Sequence, residues 1–336
     1  MIADPPVLPV AVDAMGGDHA PDAIVAGAAE AAHVYGVPVL LVGRPDRIAD
    51  PHGLEVYPCT EEVGMHEDGA RAVRRKKDSS MVVAAELVRD GRASAMLSAG
   101  NTGATVTAAL LRMGRIRGVS RPAIATPIPV PGAGHTVLLD SGANPAVQPA
   151  WLVQFAQMGS AYATARFGIE EPRVGLLNIG EEPSKGTDLT RAAYDLLSAA
   201  PGITFVGNVE GRDLLSDWAD VVVTDGFTGN VALKTLEGGV KFVRDAVLRA
   251  FASSDEAVTA SETLLPLLVP LATELDPDSF GGAMTLGVDG VCVISHGSSG
   301  QRAITNAVRT AYDMACLDLV GRLAKAVGAP SAGSGT

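Results

Sequence analysis

A strand-like apolar run near the N-terminus ends in two glycines followed by two polar residues. Gly16 and Gly17 allow a backbone to approach a ligand closely, and Asp18 and His19 follow them directly. Pro21 then stands where a first helical turn needs no amide donor, and the N-terminus of a helix favours anions. This run is typical of phosphate binding in an α/β enzyme; the alternative is that Asp18 simply caps the helix.

Polar clusters also follow most of the other strand-like runs. They are Asp13; Asn101, Thr102 and Gly103; Asp140 and Asn144; Glu181, Glu182 and Lys185; Asn208 and Glu210; Asp225 and Asn230 with Lys234; and His296 with Ser298. Each cluster alone has a simpler interpretation as a capped turn with glycine at a positive φ. Together they predict a cleft beyond the C-terminal ends of parallel strands, where such sheets bind ligands.

Motifs for other chemistries are absent from the sequence. No GxGxxG follows a strand, Ser184 to Thr187 has the wrong order for a phosphate loop, and His66-Glu67 lacks a second histidine at position 70. Gly297 to Gly300 is one residue short of a nucleophile elbow. The three cysteines form no CxxC pair. We therefore expect no cofactor, no metal and no protein nucleophile.

The charge of the chain is unevenly distributed. With 336 residues, 47% of them hydrophobic, the chain is long enough for one large core or two modest domains. The net charge of −12 argues against a nucleic-acid partner. Two basic islands, residues 71–77 and 111–122, nevertheless predict docking of an anionic partner, although each is alternatively an ordinary solvated face. The candidate docking residues are Arg74, Arg75, Lys76, Lys77, Arg112, Arg115 and Arg117.

Apolar runs alternate with helical patterns along nearly the whole chain. The predicted strands are Val7–Val12, Val37–Val42, Ala93–Ser98, Ala123–Ile128, His135–Asp140, Val174–Ile179, Ile203–Val206, Val221–Thr224 and Val291–Ser295. The predicted helices are Ala23–Tyr35, Ser79–Arg89, Thr102–Met113, Ala150–Phe167, Thr187–Ser198, Asn230–Phe251 and Gln301–Ala326. Solid β-branched runs indicate a sheet covered on both faces. The pattern predicts a doubly wound, mostly parallel sheet flanked by helices, a Rossmann-like three-layer α/β/α fold.

We expect one domain over residues 1–327, with a projecting helical segment at about 252–282 and a flexible tail at 328–336. The N-terminus lacks a basic and then apolar leader, and the longest apolar stretch, 264–272, is shorter than the ~20 residues of a membrane span. A cytoplasmic protein is expected. Within the projecting segment, the candidates for contact with a membrane surface or a dimer partner are Leu264, Leu265, Leu267 and Leu268.

Eight segments in matching order resemble one family. They are AVDAMGGDHAP from Ala11, RRKKDSSM from Arg74, SAGNTGA from Ser98, RPAIATPIP from Arg121, LLNIGEEPSKGTDLT from Leu176, GNVEGRDL from Gly207, DGFTGNVALKTLEG from Asp225 and LGVDGVCVISHGSS from Leu286. This sequence resembles the PlsX-type phosphate acyltransferases of bacterial phospholipid synthesis. It departs from their pattern at residues 64–73, where the family more often has a proline-containing acidic stretch, and 264–272 has no letter-by-letter match.

The resemblance implies transfer of a long-chain acyl group from acyl carrier protein to inorganic phosphate. Phosphate is already ionised near neutral pH and a thiolate is a good leaving group, so this chemistry needs a phosphate cradle and an oxyanion hole rather than a triad. The predicted cradle comprises Gly16, Gly17, Asp18, His19, Thr102, Gly103, Ser298 and Lys185. Asn101 and Asn230, or amides near them, are predicted to hold the oxyanion. A surface role for Lys185 and a structural role for His296 remain open.

The predicted partners are acyl carrier protein, inorganic phosphate and a second copy of the chain, with a peripheral membrane contact as a further possibility. The carrier is acidic, so the basic islands would have to attract it. Two other functions stay open on the residues alone. One is a phosphotransacetylase-like enzyme that uses coenzyme A thioesters, and the other is a non-catalytic sensor of acyl phosphate or lipid.

Overall fold

Strands and helices alternate along the chain. The computed structural model describes residues 8–132 and 134–328, which hold eleven strands, ten α-helices and two 3-10 turns. The strands are β1 (Val10–Asp13), β2 (Val39–Gly43), β3 (Glu55–Pro58), β4 (Ala95–Ser98), β5 (Ala123–Val130), β6 (Gly134–Leu139), β7 (Arg173–Asn178), β8 (Thr204–Glu210), β9 (Val221–Val223), β10 (Ala283–Leu286) and β11 (Val291–Ile294). The helices are α1 (Asp22–Tyr35), α2 (Gly69–Arg75), α3 (Ser80–Arg89), α4 (Thr102–Arg112), α5 (Pro149–Phe167), α6 (Asp188–Ala199), α7 (Gly226–Phe251), α8 (Asp255–Glu274), α9 (Gln301–Cys316) and α10 (Leu319–Ala326). The 3-10 turns are Gly211–Leu215 and Pro277–Phe280.

The predicted fold class is confirmed: a mostly parallel sheet lies between layers of helices. Every predicted strand overlaps an observed one, although Val7 and residues 329–336 of the predicted tail lie outside the described residues. The hydrophobic pattern misses β3, β10 and α2, which are short. The predicted helix from Gln301 to Ala326 is two helices, because Asp318 adopts a left-handed φ of 50° between them.

The sheet is mixed, and its strands fall into two oppositely directed groups. The order is β3-β2-β1-β4-β11-β10-β5-β6-β9-β7-β8. Five neighbouring strands, β3, β2, β1, β4 and β11, are mutually parallel and form what we call the first half. Four neighbouring strands, β6, β9, β7 and β8, are also mutually parallel and form the second half. Three antiparallel pairings, β11–β10, β10–β5 and β5–β6, reverse the direction between them. The expectation that all polar clusters meet at one edge of a parallel sheet is therefore wrong.

The pairing register nevertheless places the C-terminal ends of both halves at the same level. One row of paired residues crosses the sheet through Leu97, Val293, Met284, Ala125, Leu139 and Val223. β6 and β9 end on this row, and β4 and β11 end one residue beyond it. The loops that follow the two halves thus start from the same row on opposite sides of the central strands β10 and β5.

Alternate residues of a strand point to opposite faces, and both faces of this sheet are covered. On β1, Val10 and Val12 pack in a core cluster with residues of α1, α5, α9 and α10, whereas Ala11 packs in a second cluster with residues of α2, α3 and α4. In the second half, Leu138 and Val222 belong to a third cluster, against which α7 packs. This burial on both sides explains why the strands read as continuous apolar runs.

The two helices α7 and α8 are the least covered part of the fold. Among their described residues, only Gly226, Gly229 and Ser261 are buried. Large apolar side chains are exposed on both helices, including Phe242 at 68% and Leu267 at 71%. Across residues 8–132 and 134–328, no helix combines the length and apolarity needed to cross a bilayer.

Candidate active site

The loops after β1, β4 and β11 meet at the end of the first half. A Cβ on Gly16 would lie 2.7 Å from the backbone nitrogen of Gly100, so these two backbones touch. Gly17 has a φ of 112°, and the next residue, Asp18, donates its backbone N–H to the carbonyl of Gly297 at 2.8 Å. Glycine is required at both positions, by space at Gly16 and by φ at Gly17. The paired glycines therefore join three loops into one surface.

Polar side chains are exposed on this joined surface. Asp18 and His19 are exposed after β1, and His296 and Ser298 are exposed after β11. His296 Nδ1 lies 2.7 Å from Ser298 Oγ. The N-cap of α1 is Pro21, and no side chain caps that helix, so the alternative that Asp18 is its cap is wrong. The exposed histidines and the hydroxyl are thus accessible to a ligand.

Asp13, by contrast, is completely enclosed. Its carboxylate accepts hydrogen bonds from Ser98 Oγ at 2.7 Å and from the Met15 N–H at 3.1 Å. Ser98 Oγ in turn accepts the N–H of Gly100 at 3.1 Å. Burial raises the pKa of Asp13, and hydrogen bonds from Ser80, Ser98 and Met15 oppose that rise. Asp13 therefore ties β1 to β4 beneath the surface rather than meeting substrate.

The side chain of Asn101 is occupied by protein partners. Its Oδ1 accepts the N–H of Ala104 and caps α4, while its Nδ2 donates to the carbonyls of Met65 at 2.9 Å and Glu67 at 3.0 Å. Because both functional groups of the amide are used, Asn101 is not free to donate to an oxyanion in this conformation. Its neighbours Thr102 and Gly103 are exposed at the start of α4, and their amides carry the partial positive charge of the helix N-terminus.

Asp140 organises the loop after β6. Its Oδ1 accepts three backbone N–H groups, from Ile124 at 3.0 Å, Gly142 at 3.0 Å and Ala143 at 2.9 Å. Its Oδ2 accepts the backbone and side-chain N–H groups of Asn144 at 2.7 and 2.8 Å. Asp140 is fully buried. Asp140 and Asn144, predicted as cleft residues, therefore shape the loop, and the Asp140 carboxylate is occupied by protein donors.

The start of α7 lies against that loop. Asp225 caps the helix by accepting the N–H of Thr228 at 2.8 Å. Asn230 is exposed, and its Nδ2 donates to the carbonyl of Ser141 at 3.1 Å. Only one of its two amide hydrogens is used there, so Asn230 keeps a donor available. Of the two predicted oxyanion asparagines, it is the one with free capacity.

Lys234 and His296 connect the two halves of the sheet. Lys234 lies one helical turn after Asn230 on α7, the helix that follows β9 of the second half. The Nζ atom of Lys234 is 3.4 Å from Nε2 of His296, and His296 follows β11 of the first half. Glu237 Oε2 accepts from the same Nζ at 2.7 Å. The structure thus brings Asn230, Lys234, His296 and Ser298 into one neighbourhood, with a cation and an imidazole at its centre.

The loop of Lys185 forms a separate cluster after β7 and β8. Lys185 Nζ lies 3.9 Å from Glu182 Oε1, and Asn178 Nδ2 donates to the Lys185 carbonyl. Asn208 donates to the Glu182 carbonyl at 2.8 Å, and its buried Oδ1 accepts no hydrogen bond from the described residues. Gly186 has a φ of 87° and touches Asn178, so only glycine fits there. These contacts stay within the loop and the adjacent β8.

Two of the three glutamates predicted for the cleft, Glu181 and Glu210, share a surface arginine. Arg212 NH2 lies 3.5 Å from Glu181 Oε1 and 3.0 Å from Glu210 Oε2. Glu210 also forms a reciprocal capping box with Asp213 at the following 3-10 turn. Arg212 thus serves three carboxylates, those of Glu181, Glu210 and Asp213, and Glu182 lies beside Lys185, so carboxylates outnumber the cations in this cluster.

The basic islands are only partly available for docking. Arg71, Arg74 and Arg75 line an open groove of about 480 Å³ along α2 together with Asp68 and Ala70. Lys77 and Arg117 are also exposed. Lys76, which turns inward to Glu67, and Arg112, which pairs with Glu86 at 3.4 Å, are only 21% and 23% exposed, and Arg115 donates to two backbone carbonyls. Arg75 also pairs with a carboxylate, that of Glu67, but it is 68% exposed. Docking of a partner at these residues stays a prediction.

The segment before α2 is the part of the site that sequence reasoning missed. Met65 contacts Gly297, because a Cβ on Gly297 would lie 2.5 Å from Met65 Cε. Glu62 to Met65 also line a small cavity of about 190 Å³ with Met15, Gly17, Ala20 and Arg47. Methionine and glutamate in a loop carry no distinctive signal, and this stretch departs from the family pattern. In residues 8–132 and 134–328, no group of three or more His, Cys, Asp or Glu could hold a metal ion.

Comparisons with known proteins point to one family. The chain matches the family described as fatty acid synthesis protein over residues 8–322. It is 48% identical over 312 residues to a phosphate acyltransferase of Desulfitobacterium hafniense strain Y51, covering 90% of this chain and 92% of that one. It is also 48% identical over 334 residues to a phosphate acyltransferase of Anaeromyxobacter sp. strain K, covering 97% and 91%.

Solved structures with a similar fold are more distant in sequence. EutD phosphotransacetylase from Staphylococcus aureus superposes with a TM-score of 0.58 at 16% identity, covering 92% of this chain and 94% of that one. A 4-hydroxythreonine-4-phosphate dehydrogenase from Klebsiella pneumoniae superposes with a TM-score of 0.54 at 13% identity, covering 92% and 99%. At such identities the likeness concerns the fold alone. Family match and close relatives together show that the chain belongs to the fatty acid synthesis protein family, the PlsX-type phosphate acyltransferases that its motifs resemble.

Proposed function

We propose that the protein transfers a long-chain acyl group from the thioester of acyl carrier protein to inorganic phosphate, giving acyl phosphate for phospholipid synthesis. The relatives named phosphate acyltransferase support acyl transfer to phosphate. The observation that carries the proposal is the contact of Lys234 with His296, which places a cation and an imidazole where the loops of the two sheet halves meet. An anion site of this kind suits phosphate as the attacking group.

The chemistry requires little of a protein nucleophile. A phosphate oxygen attacks the thioester carbonyl, a C–O bond forms, and the C–S bond breaks to release the carrier thiol. The proton carried by the phosphate passes to the leaving thiolate, so the reaction balances without a cofactor. The protein must hold the phosphate, align it with the thioester and stabilise the oxyanion that develops on the carbonyl oxygen.

We assign the phosphate to the surface formed by Gly16, Gly17 and His19, with the exposed amides of Thr102 and Gly103 beside it. This surface combines close backbone approach with the N-terminus of α4, which favours an anion. His296 and Ser298 border it. Asp18 is exposed there too, and its negative charge would help to orient a singly protonated phosphate rather than attract it.

We assign the oxyanion to Asn230, whose amide has a donor to spare, and a charge-stabilising role to Lys185 and Lys234. Lys185 is half exposed in a loop whose turn requires glycine at Gly186. We assign the oxyanion role predicted for Asn101 to the backbone amides of Thr102 and Gly103 instead, because the Asn101 side chain already donates to the carbonyls of Met65 and Glu67.

We further propose that the groove on α2 docks the carrier. Acyl carrier protein is acidic, and three exposed arginines with few opposing carboxylates form a complementary surface: Arg71, Arg74 and Arg75. Lys77 and Arg117 add charge outside the groove. This surface does not include Lys76, Arg112 or Arg115, whose side chains are engaged within the chain. Docking here would present the carrier beside the segment that lies on Gly297.

The exposed apolar side chains of α7 and α8 suggest a covering partner. We propose that Leu264, Leu265, Leu267 and Leu268 pack against a second copy of the chain or rest on the inner surface of the cell membrane. Their exposure ranges from 37% to 71%, and as neighbours on one helix they form an exposed apolar patch of the kind that marks an interaction site. A cytoplasmic enzyme that delivers a lipid precursor is consistent with either arrangement.

The decisive experiment measures acyl phosphate formation by purified protein from inorganic phosphate and palmitoyl-acyl carrier protein, beside palmitoyl-coenzyme A. We expect phosphate-dependent release of carrier thiol, with the carrier-bound donor preferred. A preference for coenzyme A would instead indicate a phosphotransacetylase-like enzyme. Stoichiometric binding of acyl phosphate without turnover of either donor would indicate a sensor and overturn the proposal.

A further inference from the structure

The segment from Gly64 to Glu67 forms a bridge between the groove on α2 and the surface assigned to phosphate. At one end, Met65 contacts Gly297, whose carbonyl accepts the Asp18 N–H. At the other end, Glu67 directly precedes Asp68, the N-cap of α2. Residues 62–65 also line the cavity beside Gly17. The placement of this segment therefore affects the geometry of the phosphate surface.

One carboxylate holds the segment in place. Glu67 Oε1 accepts the N–H of Gly64 at 2.7 Å and the ammonium of Lys76 at 2.5 Å, and Glu67 Oε2 lies 3.4 Å from Arg75 NH2. Lys76 Nζ also donates to the carbonyl of Glu62 at 2.8 Å. The hydrogen bond from Lys76 lowers the pKa of Glu67, with that from Gly64 adding to the effect, so the carboxylate stays ionised.

The backbone of the same segment is fixed from the other side by Asn101. Its Nδ2 donates to the carbonyls of Met65 and Glu67, while its Oδ1 caps α4. The segment is thus clamped between the start of α4, whose amides face the proposed phosphate, and the end of α2. Glu67 is the only side chain of the segment that makes hydrogen bonds among those the structure describes for residues 64–67.

We propose that Glu67 is a positioning residue for phosphate binding, which it supports by holding Met65 against Gly297 and thereby fixing the turn that contains Gly17. This inference rests on the proposed function. Glu67 does not touch the reacting groups. It acts through the Gly64–Glu67 segment, with Lys76 as its principal partner, which explains why that lysine turns inward instead of joining the docking groove.

The test is the KM for phosphate in Glu67→Gln, a variant of nearly the same shape that loses the charge. We expect it to rise about tenfold or more, because small displacements of positioning groups have large kinetic effects, while the KM for the acyl donor changes less than about twofold. Lys76→Gln removes the other half of the pair and is expected to shift the phosphate KM in the same direction.

Glu86→Gln is the matched control. Glu86 is exposed to a similar degree, 33% against 30% for Glu67, and also pairs with two basic side chains, Arg89 and Arg112. We expect its phosphate KM to stay within about twofold of wild type. A purely structural effect of charge removal would appear equally in both glutamate variants.

Thermal stabilisation by inorganic phosphate gives a second readout that does not depend on turnover. We expect Glu67→Gln to need about tenfold more phosphate than wild type for the same rise in Tm. If the wild type turns over and Glu67→Gln has the same KM for phosphate as the wild type, the role of Glu67 is overturned. Absence of turnover in the wild type would instead overturn the proposed function, and the phosphate-dependent Tm would still test Glu67.

Discussion

Asn230 and Asn101 illustrate how one residue type serves two purposes at strand ends. Both are asparagines near the start of a helix, yet Asn101 has its side-chain amide saturated whereas Asn230 retains a free donor. The sequence predicts that polar residues gather here, because glycine and Asx residues mark the ends of strands. It does not distinguish those that build the loop from those that face the ligand, because that depends on hydrogen bonds between distant segments.

Replacement of Asn230 by alanine tests the oxyanion role. We expect turnover to fall about 10²-fold or more, the usual effect of removing one oxyanion donor, with little change in Tm because the side chain is exposed. Asn306→Ala is the control, since Asn306 also donates one side-chain hydrogen bond to a carbonyl, that of Asp278 at 2.9 Å. Wild-type turnover in Asn230→Ala would remove this residue from the mechanism.

Replacement of Asp140 by alanine tests the structural interpretation of that residue. The change leaves the buried N–H of Ile124 and the part-buried N–H groups of Ala143 and Asn144 without their acceptor. A buried unsatisfied group costs about 1–3 kcal/mol, so we expect the free energy of unfolding to fall by about 3 kcal/mol. Urea denaturation measures this loss. The exposed Asp46, paired only with Arg44, provides a control whose alanine variant should unfold like wild type. Equal unfolding curves for both variants would contradict the role of Asp140.

The buried Asp13 should leave a signature in the pH dependence of stability. Burial raises its pKa above the unfolded value of 3.8, so the folded state holds the proton more tightly. The contribution of this group is therefore most favourable below that value and declines as the pH rises through the interval up to the folded pKa. Asp13→Asn does not titrate, so we expect it to gain stability relative to wild type as the pH rises above about 4.

Urea denaturation over a pH series measures this difference. Asp46→Asn is the control of opposite sign, because the hydrogen bond from Arg44 lowers the pKa of Asp46. The Arg44–Asp46 pair should therefore stabilise the folded state above the unfolded pKa of Asp46. The Asp46→Asn variant loses this stabilisation, and the loss should be small because the pair is exposed. A constant difference between Asp13→Asn and wild type across the series would show that Asp13 has an ordinary pKa.

At the scale of elements, hydrophobic periodicity predicts the long and buried ones and misses the short ones. The four-residue β3 is half-exposed at the sheet edge, and the seven-residue α2 has a basic surface, so neither has a distinct apolar pattern. β10 is missed although it is buried, and its two antiparallel pairings, with β11 and with β5, supply two of the three direction reversals. When both faces of a sheet are covered, parallel and antiparallel strands have the same apolar sequence pattern. The reversed direction of the strands in the second half therefore leaves no local signal in the sequence.

The glycine pair in the middle of α7 leads to a prediction about that element. Apart from its neighbours in the helix backbone, no described atom lies within 4 Å of a Cβ placed on Gly238, and its φ is not positive, so nothing in the described residues requires glycine there. We expect Gly238→Ala to raise the free energy of unfolding by up to about 1 kcal/mol, the helix-propensity difference. Gly186→Ala should lower it, because of a φ of 87° and contact with Asn178. Destabilisation by Gly238→Ala would indicate a close neighbour that covers α7.

At the scale of the whole molecule, the strands of the two sheet halves end at one shared row of paired residues. Lys234 of α7, which follows the second half, contacts His296, which follows the first half. Beyond that contact α7 continues away from the sheet and pairs with α8. The same helix therefore carries part of the candidate site and part of the exposed apolar surface. An enzyme with a long-chain product would benefit from this proximity, whether the surface is covered by a second copy or by lipid.

The double variant Leu267→Glu, Leu268→Glu separates these two arrangements. Two buried charges would oppose association with either apolar partner. If a second copy covers α8, sedimentation should show the wild-type dimer replaced by monomer; if lipid covers it, the oligomeric state should persist while flotation with anionic vesicles is lost. Thr259→Glu places a charge at an exposed polar position of the same helix, about 180° around its axis from Leu268, and should change neither property. Unaltered sedimentation and flotation in the double variant would mean that this leucine surface meets neither partner.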